Sequence, residues 1–460
     1  MKIRNLFGDW IFYRGALAIA IPVMLQQLIQ NLVSLIDNFM VSGLGDISMS
    51  GVNVSNQILF VFQIFVNAIC ISGGIYLTQN YGAGEREGMQ QAFRFKLFAG
   101  LSSVIVFYIV CRAFPRQILG LMLIGNSQAS LILDQSVAYA RLIFFMSVPM
   151  ILSLCIATSL RDIGQVKLPL FISSGAALIN TFLNWVFIYG NLGAPRMEVR
   201  GAAIATIIAR TIELLLYLIA IYRIRPDFTF KITKLFDIDI GLNKEIAKAS
   251  AMLLVSEMTW VLAETITTAL YNGRGGAEVV SGMAAGFAIA NLMFVAFGGV
   301  QSAIIVVLGS TLGAGRLDEA RKQKTWLLSG TFVLGVIMMF VALASTLLVP
   351  VVFGRLSSEA NEITRELIIL IAVFMPFWLY LLGQLAVSRA GGDTAMGAVA
   401  DALISVFIMV PGVLALAILT DIGPIGLYAY VRSVDFIRLI AFHYWLKREA
   451  WLRNLTEQTQ

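Results

Sequence analysis

The chain has 460 residues, of which 58% are hydrophobic and 13% charged, with a mean hydropathy of +0.83 and a formal net charge of +6. A water-soluble globular protein carries about 45 to 50% apolar and about 25% charged residues, so this composition requires lipid as part of its solvent. One histidine and three cysteines, the latter inside apolar runs, exclude a histidine-rich metal centre, a disulfide framework and a thiolate cluster, and no G-x-x-x-x-G-K-[ST] is present to hydrolyse ATP.

Low-charge stretches long enough to cross about 30 Å of hydrocarbon recur near 15–39, 52–79, 92–113, 134–158, 166–189 and 199–223, and again near 247–271, 281–311, 325–353, 364–388, 395–419 and 423–446. They are continuously apolar rather than alternating, which excludes a β-barrel. The first is too long for the apolar stretch of a cleaved signal and is expected to stay in the mature protein.

Span 1 carries Gln27, Gln30, Asn31, Ser34, Asp37 and Asn38, which share one helical face. A polar stripe in hydrocarbon looks into a cavity or a partner helix. A carboxylate there calls for a proton or a small cation, so Asp37 is the expected exchange group, with a structural ion pair to an arginine as the alternative. Pro22 removes one helix hydrogen bond and gives the span a hinge. Span 2 adds Asn53, Asn56, Gln63 and Asn67, and span 5 adds Asn180 and Asn184 one turn apart. Their oxygens suit a hard cation or a network around a carboxylate, or simply hydrogen bonds between helices. Arg210 and Glu213 in span 6, and Asp435 and Arg438 in span 12, are i,i+3 pairs of reversed sign, which points to packing.

Span 7 carries Glu257, Trp260, Glu264 and Thr268 on one face. Two carboxylates with an indole between them attract an organic cation through charge and through the ring face, unless a glutamate instead satisfies a neighbouring polar group. Asp401 in span 11 is a further candidate without a supporting pattern. The Met and aromatic content, 18 Met and 50 Phe, Tyr and Trp, suits an adaptable pocket.

The halves repeat. Tyr81-Gly82-Ala83-Gly84 returns as Leu312-Gly313-Ala314-Gly315, Ser159-Leu160-Arg161 as Val387-Ser388-Arg389, and Gly201 as Gly426, in the same order and at an offset that drifts only slowly along the chain. Six spans is an even number, so both copies enter the membrane from the same side as parallel repeats. The expected fold is an all-α integral membrane protein of twelve transmembrane helices in two pseudo-symmetric six-helix bundles. Residues 1–225 form a first lobe, 226–245 a cytoplasmic linker and 246–460 a second lobe. Lys and Arg in the connections split 22 to 7 between the two sides, which puts both termini in the cytoplasm. The positive charge reflects that bias, so no nucleic-acid partner is expected.

These pieces together resemble the multidrug and toxic compound extrusion (MATE) family over nearly the whole chain. Pro22 and Asp37, the two Gly-Ala-Gly segments, Leu160-Arg161-Asp162-Ile163-Gly164 leading into Pro169, Asn180-x-x-x-Asn184 with Ile188-Tyr189-Gly190, and Gly201-Ala202-Ala203-Ile204-Ala205-Thr206 carry the likeness. The resemblance implies an exporter with two six-helix lobes that exchanges cationic amphipathic compounds for Na⁺ or H⁺; no other cofactor is expected, and the protein is expected in the plasma membrane as a functional monomer. It implies a coupling site, with Na⁺ as a possible metal, at Asp37, Asn180, Asn184 and Thr206, where Asn184 replaces the commoner aspartate. It implies a hinge at Pro22. Gln30, Ser34, Asn56, Glu257, Trp260 and Glu264 are the expected substrate contacts. Glu257 falls where one branch of the family has a second-lobe glutamate, but the span-10 aspartate that accompanies it is missing near Trp378, as is the span-7 proline near Ala251 and Met252.

A flippase for a lipid-linked or other anionic intermediate is the alternative function. Clustered Arg or Lys in the first spans would favour it, and those spans carry Asp37 and amides instead. A membrane-embedded enzyme lacks support, since neither H-E-x-x-H nor G-x-S-x-G occurs.

Overall fold

A computed structural model describes residues 6–123, 128–354 and 356–457. The chain ends, expected in the cytoplasm, lie partly outside them. Among the described residues there is no strand, and twelve long helices follow the predicted spans: α1 (Trp10–Ser42), α2 (Asp46–Ala83), α3 (Arg86–Ala113), α4 (Ala129–Asp162), α5 (Lys167–Tyr189), α6 (Glu198–Ile224), α7 (Ile240–Asn272), α8 (Ala277–Gly313), α9 (Leu317–Val352), α10 (Ser358–Ala390), α11 (Met396–Leu419) and α12 (Pro424–Lys447). Eleven are long and apolar enough to cross a membrane. The twelfth, α12, carries Arg432, Asp435 and Arg438 within two turns, too many ionisable groups for that criterion.

The helices outrun the apolar stretches because polar ends continue the turn until a residue adopts the left-handed region. Gly84 (φ 75°) and Gly315 (φ 72°), equivalent positions of the duplication, stop α2 and α8 in the same way. α11 departs from α-geometry: Met396–Asp401 and Ser405–Met409 form wide π turns ahead of Pro411, which has no N–H to give to the ladder.

The chain packs into two compact units. One comprises Leu25–Leu77 and Glu85–Ser250, the other Met1–Met24, Thr78–Gly84 and Ala251–Gln460. The division falls inside α1, just after Pro22.

In the first of these, α5 lies along α6, and α4 packs on α3 and α6. A fully buried Lys96 on α3 reaches Asp162 at 2.6 Å, with Ser159 and Thr158 at 3.1 and 3.4 Å. Gly73 and Gly74 on α2 make room for this pair: a Cβ on Gly73 would lie 2.6 Å from Lys96 Cγ, and one on Gly74 would lie 2.9 Å from Asp162 Oδ2. The polar stretch after α6 folds back rather than hanging free. Phe228 is fully buried, Phe230 lies under the Arg94 guanidinium at 4.7 Å, and Gln90 Nε2 and Arg94 Nη1 donate to the carbonyls of Thr229 and Asp237 at 2.8 Å.

In the second unit α10 is the central post, packed along α8, α9 and α12. The last turn of α2 crosses α8 so closely that a Cβ on Gly82 would strike the Ser310 backbone and one on Gly313 the Gln79 backbone. Gln79 stands to Ser310 as Gly82 stands to Gly313, at the same offset along the chain, so the two contacts are reciprocal. The tail after α12 folds back as the stretch after α6 does. Trp451 is fully buried, Arg321 grips Glu449 at 2.9 and 3.0 Å, and the Leu455 N–H donates to Gln79 Oε1 at 2.8 Å.

Candidate ion and substrate sites

Asp37 sits on the last turns of α1, half-buried, where a lipid-facing carboxylate would be untenable. Three groups on α5 meet it. Asn184 Nδ2 donates to Asp37 Oδ1 at 2.9 Å and Thr181 Oγ1 to the same oxygen at 3.4 Å. With its amide nitrogen turned to Asp37, Asn180 donates to Oδ2 at 2.9 Å, and its oxygen accepts from the Thr206 N–H on α6 at 3.2 Å. The 3.6-residue period puts 180, 181 and 184 on one face, and α5 lying along α6 brings Thr206 beside them.

The four sequence-predicted coupling residues are thus gathered in one place, with Thr181 as an addition that its step of three from Asn184 would have suggested. Among the described residues no lysine or arginine lies within ion-pair distance of Asp37, so the structural pairing does not occur. Asn184 Oδ1 is buried without a hydrogen-bond partner, an oxygen that a bound cation would satisfy. A carboxylate, amide oxygens and hydroxyls are the donor set a hard monovalent ion takes, and the carboxylate alone suffices for a proton. Of the other predicted contacts, Gln30 and Asn56 are half-buried and Ser34 is exposed, while Pro22 lies inside the unbroken α1.

The second unit has a cavity of about 290 Å³ whose wall includes Glu257, Trp260 and Glu264 from α7. Neither glutamate faces it alone. Arg389 Nη2 donates to Glu257 Oε1 at 2.8 Å, and Arg432 Nη2 lies 3.9 Å from Glu264 Oε2. Asp401 also lines the cavity and accepts from Arg438 Nε at 2.8 Å, while the same guanidinium reaches Asp435 at 2.5 Å and Ser405 at 2.8 Å. The two π segments of α11 carry Asp401 and Ser405 to Arg438. The i,i+3 pair Asp435 and Arg438 is therefore part of a larger charged cluster, whereas its counterpart Arg210 and Glu213 closes on itself at 2.7 Å with Ser173 on Glu213. Sequence reading missed Arg389, Arg432 and Trp378 as partners of the α7 face, because they arrive from α10 and α12.

The MatE family model matches residues 22–186 and 253–415. The chain belongs to the MATE family of transporters. The starts of the two matched blocks are separated by the same offset as Gly82 and Gly313. Among curated relatives of this MATE protein, the probable multidrug resistance protein NorM of Thermotoga maritima is 23% identical over 68% of this chain and 67% of its own length. Multidrug resistance protein MdtK of Edwardsiella ictaluri is 27% identical over 68% of this chain and 67% of its own. Among solved structures, an outward-facing multidrug resistance MATE family transporter superposes with a TM-score of 0.84 at 17% identity, covering 98% of this chain and 99% of that one. The Vibrio cholerae MATE transporter VcmN does so with 0.84 at 16% identity, covering 96% and 98%. At these identities the likeness is one of fold. The chain is a multi-pass membrane transporter and not an enzyme.

Proposed function

We propose that this protein is a secondary multidrug exporter that ejects cationic amphipathic compounds in exchange for Na⁺ or H⁺, by alternating access, as a monomer of the plasma membrane. The names of its curated relatives support the multidrug reading. The observation that carries the coupling reading is Asp37, a carboxylate in a spanning helix with no ion-pair partner among the described residues, ringed by Asn180, Thr181, Asn184 and Thr206. Loading the site with one cation neutralises it, and that neutralised state is the one that can return through a low-dielectric path.

Dye efflux from vesicles under imposed Na⁺ or H⁺ gradients tests this reading. Wild type should respond to at least one gradient, and Asp37→Asn, which keeps shape and removes the charge, should respond to neither while still folding. Normal gradient-driven export by Asp37→Asn would sink the proposal. The same reading places the fold-back stretch 226–245 in the cytoplasm. A single cysteine introduced at exposed Asp237, in a protein freed of its three native cysteines, should resist an impermeant thiol reagent in intact cells.

A further inference from the structure

The three arginines of the second-unit cavity are held in different ways. Arg438 makes hydrogen bonds of 2.5 to 2.8 Å to two carboxylates and a hydroxyl, and Arg389 makes one of 2.8 Å to Glu257. Both are anchored by their ends. Arg432 is 5% exposed, yet among the described residues it makes no hydrogen bond, and its Nε, like that of Arg389, is buried without a partner. Its carboxylate neighbours stand off, Asp435 at 3.4 Å and Glu264 at 3.9 Å. Beside these two ion pairs it is held by ring faces: the guanidinium carbon lies 4.4 Å from the centroid of Trp378 and 5.1 Å from that of Tyr428.

Two aromatic faces with two carboxylates at longer range form the arrangement that binds an organic cation, through ring quadrupoles and net negative charge. The rings are themselves fixed in place. Trp378 is met edge-on by Phe294 and Phe297 at 5.1 Å, and Tyr428 by Phe287 at 5.6 Å. A planar, weakly hydrated guanidinium is the side chain best suited to occupy such a cage. Here it does so at the wall of a cavity of about 290 Å³, the space into which its long stem can swing. A purely structural arginine of this burial is expected to be hydrogen-bonded, as Arg438 is.

We infer that Trp378, Tyr428, Glu264 and Asp435 form an organic-cation site and that Arg432 is its tethered resident, a specificity-determining residue that a ligand must displace. The site takes planar or delocalised cations, because only these match the ring faces as well as the guanidinium they replace. Small, strongly hydrated ammonium ions lose that exchange. The charge count runs the same way. The cavity wall carries four carboxylates, Glu257, Glu264, Asp401 and Asp435, against three arginines. Removing the Arg432 charge raises the excess from one to two, and the vacated cage then draws a free cation. The inference builds on the proposed export of cations, but its test is equilibrium binding without any ion gradient, so a failure here leaves the Asp37 reading standing and the reverse also holds.

Calorimetric titration of detergent-purified protein with methylguanidinium, and with neutral acetone as a planar control, is the experiment. Arg432→Ala should bind methylguanidinium at least tenfold more tightly than wild type, with no comparable gain for acetone. Adding Glu264→Gln or Trp378→Leu to Arg432→Ala should remove most of the gain. Arg432→Lys, which keeps a tethered charge, should show none of it. Equal binding by wild type and Arg432→Ala, or an equal gain for acetone, would overturn the inference. If Arg432→Ala accumulates poorly, expression and purification in methylguanidinium should recover it and raise its melting temperature while leaving that of wild type unchanged. Failure of that rescue also counts against the cage.

Discussion

Lys96 and Asp162 permit the most direct check on how this chain buries charge. Their side chains are 0% and 15% exposed and meet at 2.6 Å, with two hydroxyls taking the remaining ammonium protons. Replacing one partner leaves the other as an uncompensated buried ion, which costs about 3 to 5 kcal/mol. Replacing both with apolar residues of similar volume is close to neutral. Asp162→Leu and Lys96→Met should therefore each lower the apparent melting temperature by roughly 6 to 20 °C, taking about 2 to 4 °C per kcal/mol for a unit of this size. The double variant Lys96→Met/Asp162→Leu should return to within a few degrees of wild type. Melting is read in detergent at one fixed scan rate, because unfolding of such a protein is governed by rate as well as equilibrium. A double variant whose loss equals the sum of the single losses would refute the reasoning, since the pair would then contribute no coupling. The same double variant should keep the ion dependence of export, because Asp162 is neutralised within the fold by Lys96 and Asp37 is not.

The close helix crossing and the folded-back tail answer to the same melting assay. Gly313→Ala should cost about 1 to 3 kcal/mol by forcing the last turn of α2 away from α8, whereas Gly15→Ala, with nothing within 4 Å of its Cβ, should be silent. Trp451→Ala should destabilise by about 3 to 5 kcal/mol. The two Arg321 hydrogen bonds hold the Glu449 carboxyl below its ordinary value of 4.5, so its support of the tail is fully present above that pH and is lost as pH falls through the lowered value. Glu449→Gln should abolish that acid-side loss in a melting series against pH.

The spans, the duplication and the Asp37 constellation were legible because each is written in simple spacing: apolar length, glycine pairs that recur at one offset, and polar residues one turn apart. What could not be read is what arrives from a distance. Glu257 and Glu264 share a face with Trp260 as the helical period requires, but the arginines that engage them, Arg389 and Arg432, come from α10 and α12, and nothing in the α7 sequence announces them. The run 223–248 reads as a charged linker because its six Lys and Arg outweigh Phe228 and Phe230, and those two rings fold its middle back. Lys96 stands in an apolar span as a warning, yet its partner is 66 residues away.

The duplication also explains why the chemistry of one half does not predict that of the other. At the offset that aligns Gly82 with Gly313, the counterpart of Asp37 is Thr268, which is hydrogen-bonded to Tyr271 at 2.6 Å and carries no charge. At the offset that aligns Arg161 with Arg389, the counterparts of Asn180 and Asn184 are Ile408 and Gly412. The second half therefore has the scaffold of the Asp37 site without its ligands, and it places its carboxylates elsewhere, against arginines. A helix pair can keep its crossing while its polar positions drift, because the crossing depends on small residues such as Gly82 and Gly313 and the site depends on side chains that the crossing leaves free. On the proposed reading, one half then offers an amide-ringed carboxylate to a small ion, and the other a caged guanidinium to exchange with an organic one.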